Sequence, residues 1–238
     1  MGLELGIARV FRSYNGNLIL RDCSFAFASA RTYVLQGPNG SGKSTLFRAL
    51  ALLEKPDSGR VEYRDGGRIL AADLALRRRI TLVVPRTGIF NTTVFKNVAY
   101  GLKIRGITCA EIEARVHGAL LAVDLAHKKW HRAAELSSGE TKRLGIARAM
   151  VINPEVFMLD EPTANIDPAN TAIIESIILR MQQERSATIL MITHDPAQAQ
   201  RLGDDLLFMQ DGKIIPARPA PGAPLDSGAC SRISLSLK

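Results

Sequence analysis

Three stretches hold groups suited to phosphate chemistry. Residues 37–45, GPNGSGKST, fit the pattern G-x-x-x-x-G-K-S/T. In such a loop, Gly37, Gly40 and Gly42 let backbone N–H groups wrap phosphate oxygens. Lys43 neutralises β/γ charge, and the Ser44 hydroxyl can bind Mg²⁺. The whole run of Gly37, Pro38, Asn39, Gly40, Ser41, Gly42, Lys43, Ser44 and Thr45 is therefore the candidate nucleotide loop. Residues 156–162, VFMLDEP, add the matching carboxylates. Asp160 ends an apolar run, where it can hold Mg²⁺ through water, and Glu161 can orient a water for in-line attack on the γ-phosphorus. His194 follows the apolar run TILMIT and is the third catalytic candidate beside Glu161 and Lys43. Tyr14 is either a flat surface for adenine or an ordinary strand tyrosine; pattern does not separate the two.

These groups work only if the chain brings them together. TYVLQ (32–36) reads as the strand before the loop, and Leu46, Leu50 and Leu53 recur at helical spacing after it. IARVFRSY and LILRDCSFAF precede them as strands. KPDSG is a turn, RVEYRDGG a strand ending in a turn, and ITLVV (80–84) a short buried strand. The character changes after Pro85. Residues 92–104 look helical. A second helix begins at Thr108 with Glu111 completing a capping box, and Ile112, Val116, Leu120 and Val123 line one face. Residues 86–135, with eight basic and four acidic side chains, read as an inserted helical lobe.

The α/β rhythm then returns. A helix is expected from about Ser138 to Ile152, and VFMLD is a strand. Asp167 and Pro168 open a helix whose apolar pairs are Ile173/Ile174 and Ile177/Ile178. TILMIT has the composition of a parallel strand covered on both faces, and Asp195-Pro196 opens a short helix that Gly203 ends. Parallel strands would place the loop, Asp160, Glu161 and His194 at one C-terminal sheet edge. Residues 216–238 turn to Pro, Ala, Gly and Ser, and a mobile tail is expected there after a domain spanning 1–215.

Bulk properties narrow the class. With 238 residues and 46% hydrophobic content the chain can bury a sizeable core. No apolar run approaches the roughly 20 residues that span a bilayer. The opening MGLELGIARV lacks a signal-peptide core, which predicts a cytoplasmic chain. Cys23, Cys109 and Cys230 stand at unrelated spacings, which suits a reducing compartment. The net charge of +8 is scattered; LRRRI (76–80) reads as a solvated helix end, and no aromatic-interleaved basic stripe points to nucleic acid.

Taken in order, GPNGSGKST, LSSGE (136–140), VFMLDEP, ANID (164–167) and the histidine of ITHD resemble the ATP-binding cassette (ABC) ATPases, from about Leu3 to Ile215. The resemblance implies an α/β fold: a P-loop NTPase core with an N-terminal antiparallel β subdomain and an inserted helical subdomain. It also implies ATP and Mg²⁺ as ligands and a sandwich of two copies. In that sandwich the LSSGE signature of one copy closes over ATP held by the other. Ser137, Ser138, Gly139, Glu140 and Asp167 then join the nucleotide site. A helix N-terminus at Ser137 and the Gly139 amide would suit an anion. Ser137 and Glu140 also fit a plain capping box, and both roles are compatible.

Three features depart from the family pattern. Ser138 and Glu140 stand where glycine and glutamine are usual. The D-loop reads Ala164-Asn165-Ile166-Asp167. Pro85 occupies the position of the Mg²⁺-touching, membrane-sensing glutamine, yet proline has neither a side-chain oxygen nor an N–H. The segments FNTTVFKNVAYGLKIRG and LDEPTANIDPANTAIIE look most like importers of tungstate, molybdate and phosphate. That likeness implies a multi-span permease partner, an extracytoplasmic solute-binding protein acting indirectly, and a peripheral place on the cytoplasmic face of the membrane. The alternatives are a non-transport ABC regulator of a soluble complex and a cassette that binds ATP but barely hydrolyses it.

Overall fold

The computed structural model describes residues 3–185 and 187–216. In chain order the elements are β1 (Glu4–Tyr14), β2 (Asn17–Phe27), β3 (Thr32–Gln36), α1 (Lys43–Leu50), β4 (Ser58–Asp65), β5 (Arg68–Ile69), α2 (Leu74–Arg77) and β6 (Ile80–Val83). Then come α3 (Val94–Lys103), α4 (Cys109–Ala122), α5 (Ser138–Met150), β7 (Val156–Asp160), α6 (Pro168–Gln183), β8 (Thr188–Ile192), α7 (Pro196–Leu202), β9 (Asp205–Gln210) and β10 (Lys213–Pro216).

The strands form two sheets. One is antiparallel in the order β2-β1-β4-β5; the other has six strands in the order β10-β9-β3-β8-β7-β6. The larger sheet is parallel except at β10. Its central strands β7 and β8 are buried at every position, because both faces are covered. Period-two alternation shares out their side chains. Val156, Met158, Leu190 and Ile192 join a core with the antiparallel sheet and α1, while Phe157, Leu159, Ile189 and Met191 face a core built with α3 to α7. A continuous apolar run in the sequence is thus two half-runs that serve opposite layers.

Helix starts follow the capping rules. Thr93, Thr108, Ser137, Asp167 and Asp195 each accept a backbone N–H at the N-terminus of α3, α4, α5, α6 and α7. At α4 only half of the expected capping box forms: Thr108 accepts from the Glu111 amide, and the Glu111 carboxylate pairs with Arg115 instead. Leu53 is not part of α1; the helix ends at Leu50, and Leu53 is 64% exposed. Helix α5 stops at Met150, two residues before the expected end. Strands β9 and β10 were not anticipated, and Pro216, assigned by sequence to the tail, instead pairs with Leu207. The remainder of that tail, 217–238, lies outside the described residues, as does Cys230.

Helices α3 and α4 pack on α5 through Val98, Leu102, Val116, Leu120 and Leu144. Before α3 the chain makes a turn whose polar groups are satisfied by one buried side chain. Asn97 accepts from the Phe90 amide at 2.9 Å and donates to the carbonyls of Phe90 and Thr93, each at 3.0 Å. Asn97→Leu orphans these buried groups, so the unfolding free energy should fall by about 1–3 kcal/mol in urea titrations. Asn97→Asp keeps the acceptor for the Phe90 amide and should cost less if the donor half of the brace is the weaker half.

Candidate active site

The register of the parallel strands sets the site. Leu35 of β3 and Asp160 of β7 both pair with Ile192 of β8, so three strands end in one row. Gly37, Glu161 and His194 lie one or two residues beyond this row.

The loop after β3 is shaped by the strand beyond it. Gly37 has φ 145°, and a Cβ there would lie 2.2 Å from the Met209 carbonyl oxygen of β9. Gly42 has φ 103° and opens α1 without a side-chain cap. Sequence reasoning gave these glycines to phosphate wrapping alone; close approach to β9 and a left-handed backbone also demand them. Gly40, at φ 77°, has open space where a Cβ would sit. Among the described residues the buried Ser41 hydroxyl has no partner. Lys43 is buried, and its Nζ donates to the carbonyls of Gly37 (2.8 Å) and Pro38 (2.9 Å). Burial pushes its pKa down, while Glu161 and Asp160 pull it back up. An uncapped helix N-terminus, an orphaned hydroxyl and a buried ammonium fit a phosphate chain.

The two metal-ligand candidates are neighbours. Asp160 is 4% exposed, and the Ser44 hydroxyl lies near enough to favour its charged form. Burial raises the Asp160 pKa, with the Ser44 bond opposing and the neighbouring Glu161 charge adding to the rise. A carboxylate and a hydroxyl side by side, with a net need for positive charge, suit a small hard cation.

Glu161 diverges from Asp160 because its φ is +51°, in the left-handed region. That turn carries Glu161 Oε1 to 3.0 Å from His194 Nε2, while its own amide donates to the Ile192 carbonyl. His194 is held indirectly. The hydroxyls of Thr163 and Thr193 both donate to Oε1 of buried Gln198, whose Nε2 donates to Glu175. Sequence reading missed Gln198; its one signal is a long polar side chain on the apolar face of α7. It also missed Lys142, whose Nζ donates to the carbonyls of Glu161 and Ala164.

The 136–140 segment is a complete capping box. The Glu140 amide donates to Ser137 Oγ at 3.2 Å, and the Ser137 amide donates to Glu140 Oε2 at 2.9 Å. Ser138 is the first residue of α5. Lys128 donates to the other Glu140 oxygen at 2.5 Å and holds the carboxyl below its usual range. Gly139 is pressed against α6: a Cβ there would lie 2.5 Å from the Asn170 side chain. Asn170 is bound by Asp167 and, at 2.7 Å, by the buried Arg143 guanidinium. Asp167 itself caps α6. Among the described residues, the hydrogen bonds of the Ser137 and Glu140 side chains run to each other's residues and to Lys128, not to the 37–45 loop.

The Tyr14 hydroxyl bonds Glu54, and the Arg12 guanidinium lies 4.8 Å from the ring centroid, so one face is covered. Pro85 borders a small cavity with Val83, Thr87, Lys142, Glu161 and Pro162. Thr87 is packed on Gly145, where a Cβ would fall 2.5 Å from Thr87 Cγ2.

The chain is similar to known proteins. The ABC transporter family profile matches residues 20–164. A probable anion import ATP-binding protein of Haloferax volcanii is 38% identical over 87% of this chain and 77% of its own. The ATP-binding protein TupC of a tungstate uptake system in Peptoclostridium acidaminophilum is 35% identical over 89% of this chain and 97% of its own. A phosphate import ATP-binding protein of Natronomonas pharaonis is 36% identical over 90% and 80%. Among solved structures, cbiO1 of Clostridium perfringens, part of the ABC transporter complex cbiONQ, superposes with a TM-score of 0.79 at 30% identity, covering 90% of this chain and 88% of that one.

The Glu140–Lys128 pair gives a pH test. Because the folded pKa of Glu140 is depressed, its contribution is full above the unfolded carboxylate value and disappears as pH falls through the folded one. Glu140→Gln keeps an acceptor for the Ser137 amide but loses the charge. Urea melts should show the variant less stable by roughly 0.5–1 kcal/mol at pH 7. The gap should close on acidification; a gap independent of pH would mean the pair contributes nothing.

Proposed function

This chain belongs to the ABC transporter family, as one of its ATP-binding, ATP-hydrolysing subunits, and we propose that it powers import of an oxyanion such as tungstate, molybdate or phosphate. The observation that carries the catalytic reading is the convergence of Lys43, the Ser44–Asp160 pair and the Glu161–His194 pair at one sheet edge. The oxyanion rests on the anion, tungstate and phosphate uptake of the three relatives and on the likeness of the 90–106 and 159–175 segments.

With ATP in the loop, Lys43 exchanges the Gly37 and Pro38 carbonyls for β/γ oxygens. The helix N-terminus at Gly42 and the Ser41 hydroxyl add donors. Ser44 and Asp160 would hold Mg²⁺, which supplies positive charge against the leaving phosphate. The Glu161 carboxylate accepts a hydrogen bond from the attacking water and aligns it with the γ-phosphorus, and His194 fixes that carboxylate from the other side. Tyr14 offers its free face to adenine.

The site takes its final part from a second copy of the chain. Ser137, Ser138, Gly139 and Glu140 of the partner open a helix toward the γ-phosphate, with Asp167 nearby, and two ATP molecules hold the dimer together. The 86–135 lobe is the part that reaches a permease on the cytoplasmic face of the membrane. An extracytoplasmic solute-binding protein would deliver cargo to that permease. Among the described residues no helix is long and apolar enough to cross a membrane.

Glu161→Gln should retain ATP binding, lower kcat by about 10²–10⁴-fold, and accumulate an ATP-bound dimer on size-exclusion chromatography. A variant that binds ATP yet stays monomeric at high concentration rejects the sandwich. Copurification with a multi-span protein supports the transporter reading against a soluble regulator, and uptake assays with tungstate, molybdate and phosphate separate the cargoes. At Pro85, a glutamine side chain would project beside Glu161 and Lys142. Pro85→Gln in the assembled transporter should raise the ratio of cargo-stimulated to basal ATPase, and an unchanged ratio means the proline does not weaken coupling.

A further inference from the structure

Between the 136–140 segment and the catalytic carboxylate lies a direct mechanical link within one chain. Lys142 sits one turn into α5, the helix that Ser138 begins. Among the described residues its half-buried ammonium forms no ion pair; burial lowers its pKa and the nearby Glu161 charge opposes that. It spans the turn that follows β7, donating to the Glu161 carbonyl at 3.3 Å and to the Ala164 carbonyl. That turn contains two non-glycine residues in the left-handed region, Glu161 at φ 51° and Asn165 at φ 59°. Such a backbone persists only where surrounding contacts over-determine it. The next residue of α5, Arg143, holds the far end of the same turn through Asn170, which also bonds Asp167. Gly139 closes the contact by packing on the Asn170 side chain.

We infer that Lys142 is a positioning residue that makes the capture of ATP at one site set the carboxylate at the other. The start of α5 and the 161–167 turn move as one body, because adjacent side chains of a single helix grip both ends of the turn. In the proposed two-ATP dimer, on which this inference rests, the α5 start touches the partner's ATP while Glu161 serves the chain's own. Drawing α5 toward the partner's γ-phosphate then fixes the Glu161 backbone, and with it the direction in which the carboxylate holds water. Lys142 bonds two main-chain carbonyls of the turn and acts through them on the direction of the carboxylate.

The test compares wild type, Lys142→Met and Lys142→Arg in the full chain. Steady-state ATPase is measured against ATP concentration, and ATP affinity by equilibrium binding. Wild type should be cooperative, with a Hill coefficient that two sites limit to about 2. Lys142→Met keeps the aliphatic stem but cannot donate. It should lower kcat by about 10- to 100-fold and bring the Hill coefficient toward 1, with ATP affinity unchanged. Lys142→Arg, which can still bond both carbonyls, should restore both quantities in large part. The inference is overturned if Lys142→Met keeps wild-type cooperativity, or if kcat and ATP affinity fall together and arginine restores neither. A wild-type chain that hydrolyses ATP without cooperativity and stays monomeric rejects the two-ATP dimer itself, and this inference with it.

Discussion

The site depends on one constraint: β3, β8 and β7 pair in parallel and end in the same row, Leu35 and Asp160 both opposite Ile192. Parallel pairing turns every following loop to the same side, so groups far apart in the chain share one edge. A shift of one residue in β7 would turn Asp160 to the other face and break its contact with Ser44. The apolar side chains of β7 and β8 forbid that slip, since each alternate residue is committed to a different core.

On that edge, two adjacent carboxylates acquire different tasks from backbone geometry. Asp160 is still strand, buried and beside Ser44; Glu161 has turned left-handed and faces His194. Burial raises the Asp160 pKa and lowers that of Lys43, so each group is poised for a partner of opposite charge. The left-handed turn is fastened from α5, so the helix that presents the 136–140 segment also bears on the carboxylate.

Much of this was legible in the sequence because the signals are local. A phosphate loop must lie between a strand and a helix, and GPNGSGKST does. Ser137 and Glu140 had the spacing of a capping box, and the box forms. Thr108 and Glu111 had the same spacing, yet Arg115, one turn further along α4, takes the carboxylate. Local pattern proposes a partner, and competition among neighbours selects one. Strands β9 and β10 escaped notice because DLLFMQ and KIIP are short, and β10 lies at the sheet edge.

What the sequence by itself determined was the inventory and the rhythm: which residues could bind phosphate, cation and water, and which elements must carry them. Residue type and spacing suffice for that, since they fix local hydrogen bonding and the apolar face of each element. Only the tertiary structure decided who meets whom. It made Gly37 obligatory against Met209, placed Asn170 under Gly139, and set Gln198 between Thr163 and Thr193. It also turned Lys142 onto the carbonyls of Glu161 and Ala164. These contacts join residues 5 to 172 positions apart, and no periodicity encodes them. They follow from close packing, which brings distant backbone within reach and leaves each buried polar group to find the partner that folding has placed beside it.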